Sequence, residues 1–375
     1  MPSPELSIAF ERLPPLAWLE REWRTLEQLA DCSFFTSWSW IGCWLRSLPQ
    51  SVKPKLLRAF DLRQGQDVTV GLAVFVPHRF WRHGIYSHGL FLHMCGDRSL
   101  DAITLENNGL LVARDRGPEI ERAMLDWLLK CRENWDEIFL NAATHASALP
   151  ARVPGPEWHI RRWERPAFAV DLDSVRTRAG GFLGMLGAKV RFQIRRSLKA
   201  YSESGEVRVQ DARDLEQALQ FFGRLQEFHQ RHWNAKGEPG AFANDYLRRF
   251  HDSLIRDCFA RAEIQLLCVL AGDRPIAYLY NFVHRGIVSN YQSGVNFDAA
   301  RINDSPGLAA HQQCIEFTAA AGHRPPPPMA GDYAYKRRLC TRVHSLHWSV
   351  LQRRRLRFAF EGLLRSARLR LRRRG

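Results

Sequence analysis

No stretch of the chain approaches the roughly 18 consecutive apolar residues that a membrane-crossing helix requires, so no transmembrane span is expected. The opening residues, Met1-Pro-Ser-Pro-Glu-Leu-Ser, place no basic cluster ahead of an apolar run, and no secretory leader is expected either. The cysteines are Cys32, Cys43, Cys95, Cys131, Cys258, Cys268, Cys314 and Cys340; none stands in a C-x-x-C pair, and most have apolar neighbours. That spacing argues against a zinc site and for reduced core thiols in a cytosolic protein. No metal is expected. Acidic residues are nearly missing from one place: residues 353–374 hold ten arginines and a single acid, Glu361, for a local charge of +9.

What is present is enough for two or three domains, since the chain has 375 residues of which 45% are hydrophobic. Of the net charge of +15, only +6 lies outside the arginine-rich tail, so the body is mildly basic and the tail strongly so. The partner such a tail implies is anionic: membrane lipid, nucleic acid or an acidic protein.

Trp18, Trp23, Trp38, Trp40 and Trp44 crowd the first segment, with Ser37 reading as the N-cap of a helix that carries Trp40 and Trp44 on one face. They read as core, with ligand stacking as the alternative. Strand-like runs follow at 56–62, 68–76 and 87–93, then a helix at 118–131 and a strand at 136–140. A first α/β domain ends near 165. Beyond it the pattern predicts a strand at 168–172, a long basic helix from about 182 to 202 ended at Gly205, and a short strand at 207–210. Helices at 215–233 and 246–259 come next. They precede strands at 264–271, 275–283 and 287–292, the first two joined at Gly272-Asp273. An amphipathic helix at 307–321 closes at Gly322, residues 325–328 are a stiff proline run, and 344–350 alternates like a last strand. In the tail, Leu356, Phe360, Leu363, Leu364, Ala367 and Leu371 share one helical face among arginines. The expected domains are 1–165 and 166–350, with a basic amphipathic helix at 351–375.

Three constellations carry chemistry. Ser305-Pro306-Gly307 opens a helix shortly after the strand that bears Tyr291. A helix N-terminus has N–H groups without intrahelical partners and a dipole that favours negative charge; Pro306 is tolerated there because its missing N–H is not needed. Tyr291, Ser305, Gly307 and Leu308 are therefore candidate donor-binding residues, with a well-capped structural helix as the alternative. Asp332, Tyr335 and Lys336 form the second cluster. Asp332 would accept a proton from an amine or orient it, Tyr335 would donate to a thiolate or oxyanion, and Lys336 would pair with a phosphate; the alternative is a surface salt-bridge cluster with Arg337 and Arg338. Third, Lys189, Arg191, Arg195, Arg196 and Lys199 line the basic helix, and Arg191, Arg195 and Lys199 are spaced four apart on one face. Such a strip suits a diphosphate or acidic glycan, or is a solvated face. His229, near Trp233, is a candidate general base because an imidazole titrates near operating pH, or else a satisfied structural histidine.

In their order, these residues resemble the CelD/BcsL-type acetyltransferases, a family of the GNAT superfamily associated with cellulose or exopolysaccharide biosynthesis and similar to Fem-type transferases. The resemblance covers nearly the whole chain. Phe35-x-Ser37-x-x-Trp40-x-x-x-Trp44 resembles the family's N-terminal helix; Arg191-x-x-x-Arg195-Arg196 with Gly205 resembles its basic helix and turn. Phe228-His229 with Trp233, Gly237 and Gly240 resembles a further segment. Tyr291, Gly294, Ser305-Pro306-Gly307 and Gly331-Asp332-x-x-Tyr335-Lys336 resemble its C-terminal signature. The chain departs from the family at Pro327, Pro328, Ala330 and Leu339, and it lacks the usual Q/R-x-x-G-x-G/A phosphate loop.

The resemblance implies an α/β (α+β) architecture of tandem GNAT-like acyltransferase domains with mixed β-sheets, followed by a basic amphipathic helix. It implies N-acyl transfer from acetyl-CoA, or another acyl-CoA, to an amine of a sugar, polysaccharide precursor or envelope-related acceptor. Asp332, Tyr335, Lys336 and His229 would then be catalytic, and Arg191, Arg195, Arg196 and Trp233 would hold the acceptor. Two alternatives stand beside it. One is a Fem-like aminoacyl-tRNA-dependent transferase, for which the basic strip and tail supply a cationic surface. The other is a catalytically degenerate, membrane-docked partner of a polysaccharide synthase. The expected location is the cytoplasm, peripheral at the inner membrane through residues 351–375.

Overall fold

The structure, a computed structural model, describes residues 6–63, 66–131, 134–143, 157–298, 305–324, 329–330 and 334–361. In chain order the elements are β1 (Leu6–Arg12), α1 (Leu16–Leu29), α2 (Trp38–Ser47), β2 (Lys55–Arg63), β3 (Gln66–Arg82), β4 (Ile85–Leu92), β5 (Leu111–Val112), α3 (Gly117–Lys130) and β6 (Glu137–Ala143). They continue with β7 (Trp158–Ala169), α4 (Leu172–Thr177), α5 (Ala188–Ser202), β8 (Val207–Asp211), α6 (Leu215–Asn234), α7 (Asp245–Cys258), β9 (Ile264–Ala271), β10 (Arg274–His284) and β11 (Ile287–Val295). The last are α8 (Pro306–Ala320), β12 (Met329–Ala330), α9 (Ala334–Leu339) and β13 (Arg342–Arg353). Two compact units result: Met1–Glu164 with Leu346–Gly375, and Arg165–Ser345. The second unit is inserted into the first along the chain, and the described residues 351–361 group with the first unit.

The first unit has a mixed sheet. β1 to β4 pair antiparallel in sequence order; β6 then lies parallel to β4, with Gly89 opposite Glu137, and β13 returns antiparallel to β6, with Val350 opposite Phe139. Ser37 caps α2 through its hydroxyl, which accepts from Trp40 N–H at 3.5 Å. Trp23, Trp38, Trp40 and Trp44 are all buried, and the Trp23 indole donates to Thr36 O at 2.9 Å, so its one polar atom is satisfied inside the core.

After β13, residues 356–361 form a helical turn. The face expected to be apolar is not the one that is buried here. Leu356 is 92% exposed and Phe360 55%, whereas Phe358 and Glu361 point inward. Ion pairs set this rotation: Glu361 accepts from Arg82 Nε at 2.5 Å, and Arg355 and Arg357 both reach Asp136, at 3.0 and 2.5 Å. Leu363, Leu364, Ala367 and Leu371 lie outside the described residues.

The second unit is built on an antiparallel sheet ordered β11-β10-β9-β8. Every residue of the central strand β9 is buried. Alternation along β10 separates two cores. Ala277 and Leu279 pack with Ala309, Ala310 and Cys314 of α8 and with Tyr201 of α5, while Tyr278 and Tyr280 make tilted and edge-to-face ring contacts with Phe221, Phe222 and Phe228 of α6. The strand expected at 168–172 ends at Ala169, because Asp171 caps α4 by accepting from Ser174 N–H at 3.2 Å. The basic helix begins at Ala188, later than expected, after a short turn at Leu183–Met185. α8 is not the amphipathic helix expected. Leu308 through Gln312, Cys314, Thr318 and Ala319 are buried, so it is enclosed on most sides. The proline run 325–328 lies outside the described residues.

Candidate active site

β11 carries a bulge midway along its pairing with β10. Tyr280 lies opposite Gln292 and Asn281 opposite Asn290, so Tyr291 is the additional residue. Bulges bend the strand and re-aim its side chains. The next helix, α8, starts without a side-chain cap from Ser305, whose N–H instead donates to Ser197 Oγ of α5 at 2.9 Å. Pro306 has no N–H to offer. Among the described residues, an added β-carbon at Gly307 would meet only Val295 Cγ2, at 3.9 Å, so none of them crowds the backbone of this first turn. The Leu308 side chain belongs to the core, which leaves its backbone N–H as the part suited to a ligand.

Beside α8, within the second unit, is a pocket of about 130 Å³, roughly ten times what one water needs. Its sheet side is Leu279, Asn281, Val288 and Asn290. α8 contributes His311, Cys314, Ile315 and Thr318, α9 contributes Lys336 and Leu339, and Phe168 to Val170 close it. The walls are mainly apolar with a few polar groups, the usual make-up of a ligand pocket. Burial, with a smaller contribution from the Lys336 charge, pushes the His311 pKa down to about 4, so the imidazole is neutral near pH 7. Burial raises the Cys314 thiol, which is inert as a nucleophile at that pH.

Of the residues singled out from sequence, Ser305, Gly307, Leu308 and Lys336 fall on the elements around this pocket, and Lys336 lines it. Tyr335 precedes Lys336 in α9, and Asp332 lies outside the described residues. Tyr291, His229 and Trp233 are on the other face of the sheet, with α6 and α7. The Tyr291 hydroxyl and His251 Nε2 are 3.2 Å apart, and its ring lies 4.7 Å from Phe282. His229 is buried against Phe242, its pKa pushed down to about 4 by burial, and Trp233 sits under the Lys236 ammonium. On α5, Arg195 and Arg196 are exposed and Arg191 is half-buried, with Phe192 65% exposed between them. Gln193 of the same helix accepts a hydrogen bond from Arg338 of α9, so the basic helix adjoins the element that bears Lys336.

Sequence reading missed His311, Asn281 and Asn290. His311 sits one turn beyond Gly307, and Asn281 is a polar residue inside an apolar strand; both were visible signals. Gly294, by contrast, serves packing: a β-carbon there would lie 2.3 Å from Leu225 O of α6.

Residues 188–337 match the model of the acetyltransferase (GNAT) domain. The chain carries an acyltransferase domain. The matched segment runs from α5 into α9 and includes the sheet, α8 and Lys336. Among solved structures, FemX is similar with a TM-score of 0.52 at 9% identity, over 92% of this chain and 96% of FemX. A conserved protein of unknown function from Bacteroides thetaiotaomicron is similar at 0.50 and 9%, over 92% of this chain and 100% of the other. A tandem GNAT protein from the clavulanic acid biosynthesis pathway scores 0.43 at 11%, over 92% and 98%. The first two likenesses show the fold alone: mixed α/β over nearly the whole length. No curated protein matches the chain.

Proposed function

We propose that the chain transfers an acyl group from an acyl-CoA, acetyl-CoA in the simplest case, to an amino group of a sugar, polysaccharide precursor or envelope-related acceptor. The observation that carries this reading is a pocket that holds Lys336 and a neutral His311 and is lined by α8, a helix whose first turn has no side-chain cap among the described residues. The N–H groups of Gly307 and Leu308 and the Lys336 ammonium suit the donor's phosphates. Leu279, Val288 and Ile315 suit its uncharged part. In the reaction a neutral amine attacks the thioester carbonyl. The C–N bond forms and the C–S bond breaks, the amine proton passes to a base, and the thiolate leaves and takes up a proton. Asp332 is our candidate base and Tyr335 our candidate donor to the thiolate. His229, Trp233 and Tyr291 act in packing on the far side of the sheet. Arg191, Arg195 and Arg196 suit an acidic or phosphorylated acceptor, and the CelD/BcsL-type resemblance supports a glycan. The exposed Leu356 and Phe360 beside the arginine-rich tail support docking at an anionic membrane.

Thermal shift with coenzyme A and acetyl-CoA tests the donor, since a ligand of the folded state raises its stability. Stabilisation of the wild type that is weaker in Lys336→Ala is expected; no stabilisation by either compound rejects an acyl-CoA donor.

One observation favours a second reading. Phe192 stands exposed among cationic side chains on α5, a surface suited to a nucleic-acid backbone and a base. With the FemX-like fold it supports an aminoacyl-tRNA donor. That reading requires salt-steep RNA binding weakened by Phe192→Ala and Arg195→Ala; equal binding by both variants eliminates it.

A further inference from the structure

Four polar side chains form a hydrogen-bonded line across the whole second sheet, from its β8 edge to the pocket. On the two central strands, Gln265 and Asn281 are directly opposite each other, and Asn281 is directly opposite Asn290 on β11. Asp211 on β8 pairs with Leu267 and so lies diagonal to Gln265 on the same face. Gln265 Nε2 donates to Asp211 Oδ2 at 3.2 Å, Asn281 Nδ2 to Gln265 Oε1 at 2.9 Å, and Asn290 Nδ2 to Asn281 Oδ1 at 2.9 Å. Gln265 and Asn281 are buried, so each amide must find partners on both of its ends.

The carboxylate sets the direction of the line. An ionised Asp211 only accepts, so Gln265 must turn its NH₂ toward it and its oxygen toward Asn281. The same constraint passes to Asn281 and then to Asn290. At the pocket end two backbone carbonyls, of Gln292 at 3.3 Å and Tyr280 at 3.5 Å, also hold the Asn290 NH₂ inward. The atom left over is Asn290 Oδ1. The residue lines the pocket, and among the described residues no donor reaches that oxygen. Hydrogen bonds aligned toward an anion polarise one another, which strengthens the acceptor at the head of the line.

We propose that Asn290 is the specificity-determining residue of this pocket, presenting Oδ1 to a neutral N–H or O–H group of the ligand, and that Asn281, Gln265 and Asp211 are positioning residues that fix which way its amide points. The ligand group is neutral because the Lys336 ammonium shares the pocket and opposes a second cation. Such a donor group can belong to an amide of the acyl-CoA or to the acceptor; this choice alone rests on the acyl-transfer reading.

Two small amides of nearly equal size test it on the full chain: N-methylacetamide, which has one N–H, and N,N-dimethylacetamide, which has none. Dissociation constants from NMR titration should favour N-methylacetamide by about fivefold in the wild type, the worth of one neutral hydrogen bond. The ratio should fall to about one in Asn290→Leu and to about twofold in Asp211→Asn, where a terminal amide lets the line run either way while the melting temperature stays unchanged. Equal binding of the two amides by the wild type overturns the proposal, as does a full preference kept in Asn290→Leu or in Asp211→Asn. Displacement of N-methylacetamide by acetyl-CoA assigns the donor group to the thioester, and displacement by glucosamine assigns it to the acceptor. Displacement by neither supports the relay and counts against the acyl-CoA reading.

Discussion

Gly205 and Gly272 meet backbone to backbone. A β-carbon on Gly205 would lie 2.7 Å from Gly272 Cα, and one on Gly272 would lie 2.4 Å from Ser204 O. The turn that ends α5 thus seats on the hairpin between β9 and β10, and Gly272 N–H donates to Glu206 O at 2.9 Å. Both residues have positive φ, 124° and 58°. Gly205→Ala adds left-handed strain to a clash with backbone that has nowhere to move. It should cost about 2–4 kcal/mol of stability, read as a lower denaturant midpoint at unchanged slope.

Buried histidines make the protein acid-sensitive. Burial pushes the pKa of His93, His229 and His311 down to about 4 and that of His251 to about 3. Between the ordinary value of about 6.5 and these lowered values, the unfolded chain binds protons that the folded chain refuses, so stability falls as pH falls through this window. Asp101 and Glu121 work in the opposite sense, raised by burial to about 6 and about 7. The balance is an excess of about two protons on the unfolded chain near pH 5, a slope of about 2–3 kcal/mol per pH unit. Urea denaturation at pH 7, 6 and 5 measures it. His251→Gln should flatten the slope by about one proton, and a wild-type stability that rises as pH falls would mean that these imidazoles are charged in the fold.

Local signals were readable where one residue type has one physical use. Ser37 ahead of Trp40 specified a cap, Gly272-Asp273 specified a hairpin, and the glycine, proline and serine around 305 marked a helix start. What sequence periodicity could not carry is which way a side chain faces after an irregularity. The bulge at Tyr291 breaks the alternation of β11, so counting along the strand does not carry the facing of Val288 and Asn290 past Tyr291 to Gln292 and Gly294. The orientation of residues 356–361 is hidden from sequence for a different reason. The apolar stripe that begins at Leu356 is a sound helical pattern, but Glu361 is drawn in by Arg82, and an ion pair with a partner 279 residues away leaves no trace in local spacing. His311 and Asn281 were passed over because each sits in an otherwise apolar run.

Arg82 stands between two buried carboxylates. It bonds Glu137 at 2.9 and 3.1 Å and Glu361 at 2.5 and 3.0 Å, while Ser87 and Gln352 also donate to Glu137. Glu361→Ala leaves Arg82 paired with Glu137, so the loss is smaller than for a charge left alone: about 2 kcal/mol. Glu361→Gln keeps the shape and should cost about half of that. Chemical denaturation of both variants checks the order. If the two are equally stable with wild type, the helical turn at 356–361 is not held by this pair.

Gly307 separates a structural from a ligand-binding role for the start of α8. Among the described residues an added side chain there has room, since the nearest of their atoms to its β-carbon is Val295 Cγ2 at 3.9 Å. A carboxylate in a first helical turn is favoured by the helix dipole, by about 0.3–1 kcal/mol, and replacing glycine inside a helix is itself stabilising. Gly307→Asp should therefore fold at least as well as the wild type. If the open N–H groups hold an anionic donor, the same carboxylate occupies their field and repels it, so stabilisation by coenzyme A should disappear while the melting temperature without ligand holds or rises. Gly307→Ala, uncharged at the same position, should retain most of that stabilisation. If Gly307→Asp and wild type respond equally to coenzyme A, this turn does not bind the donor, and the phosphates must be sought at Lys336 and the arginines of α5.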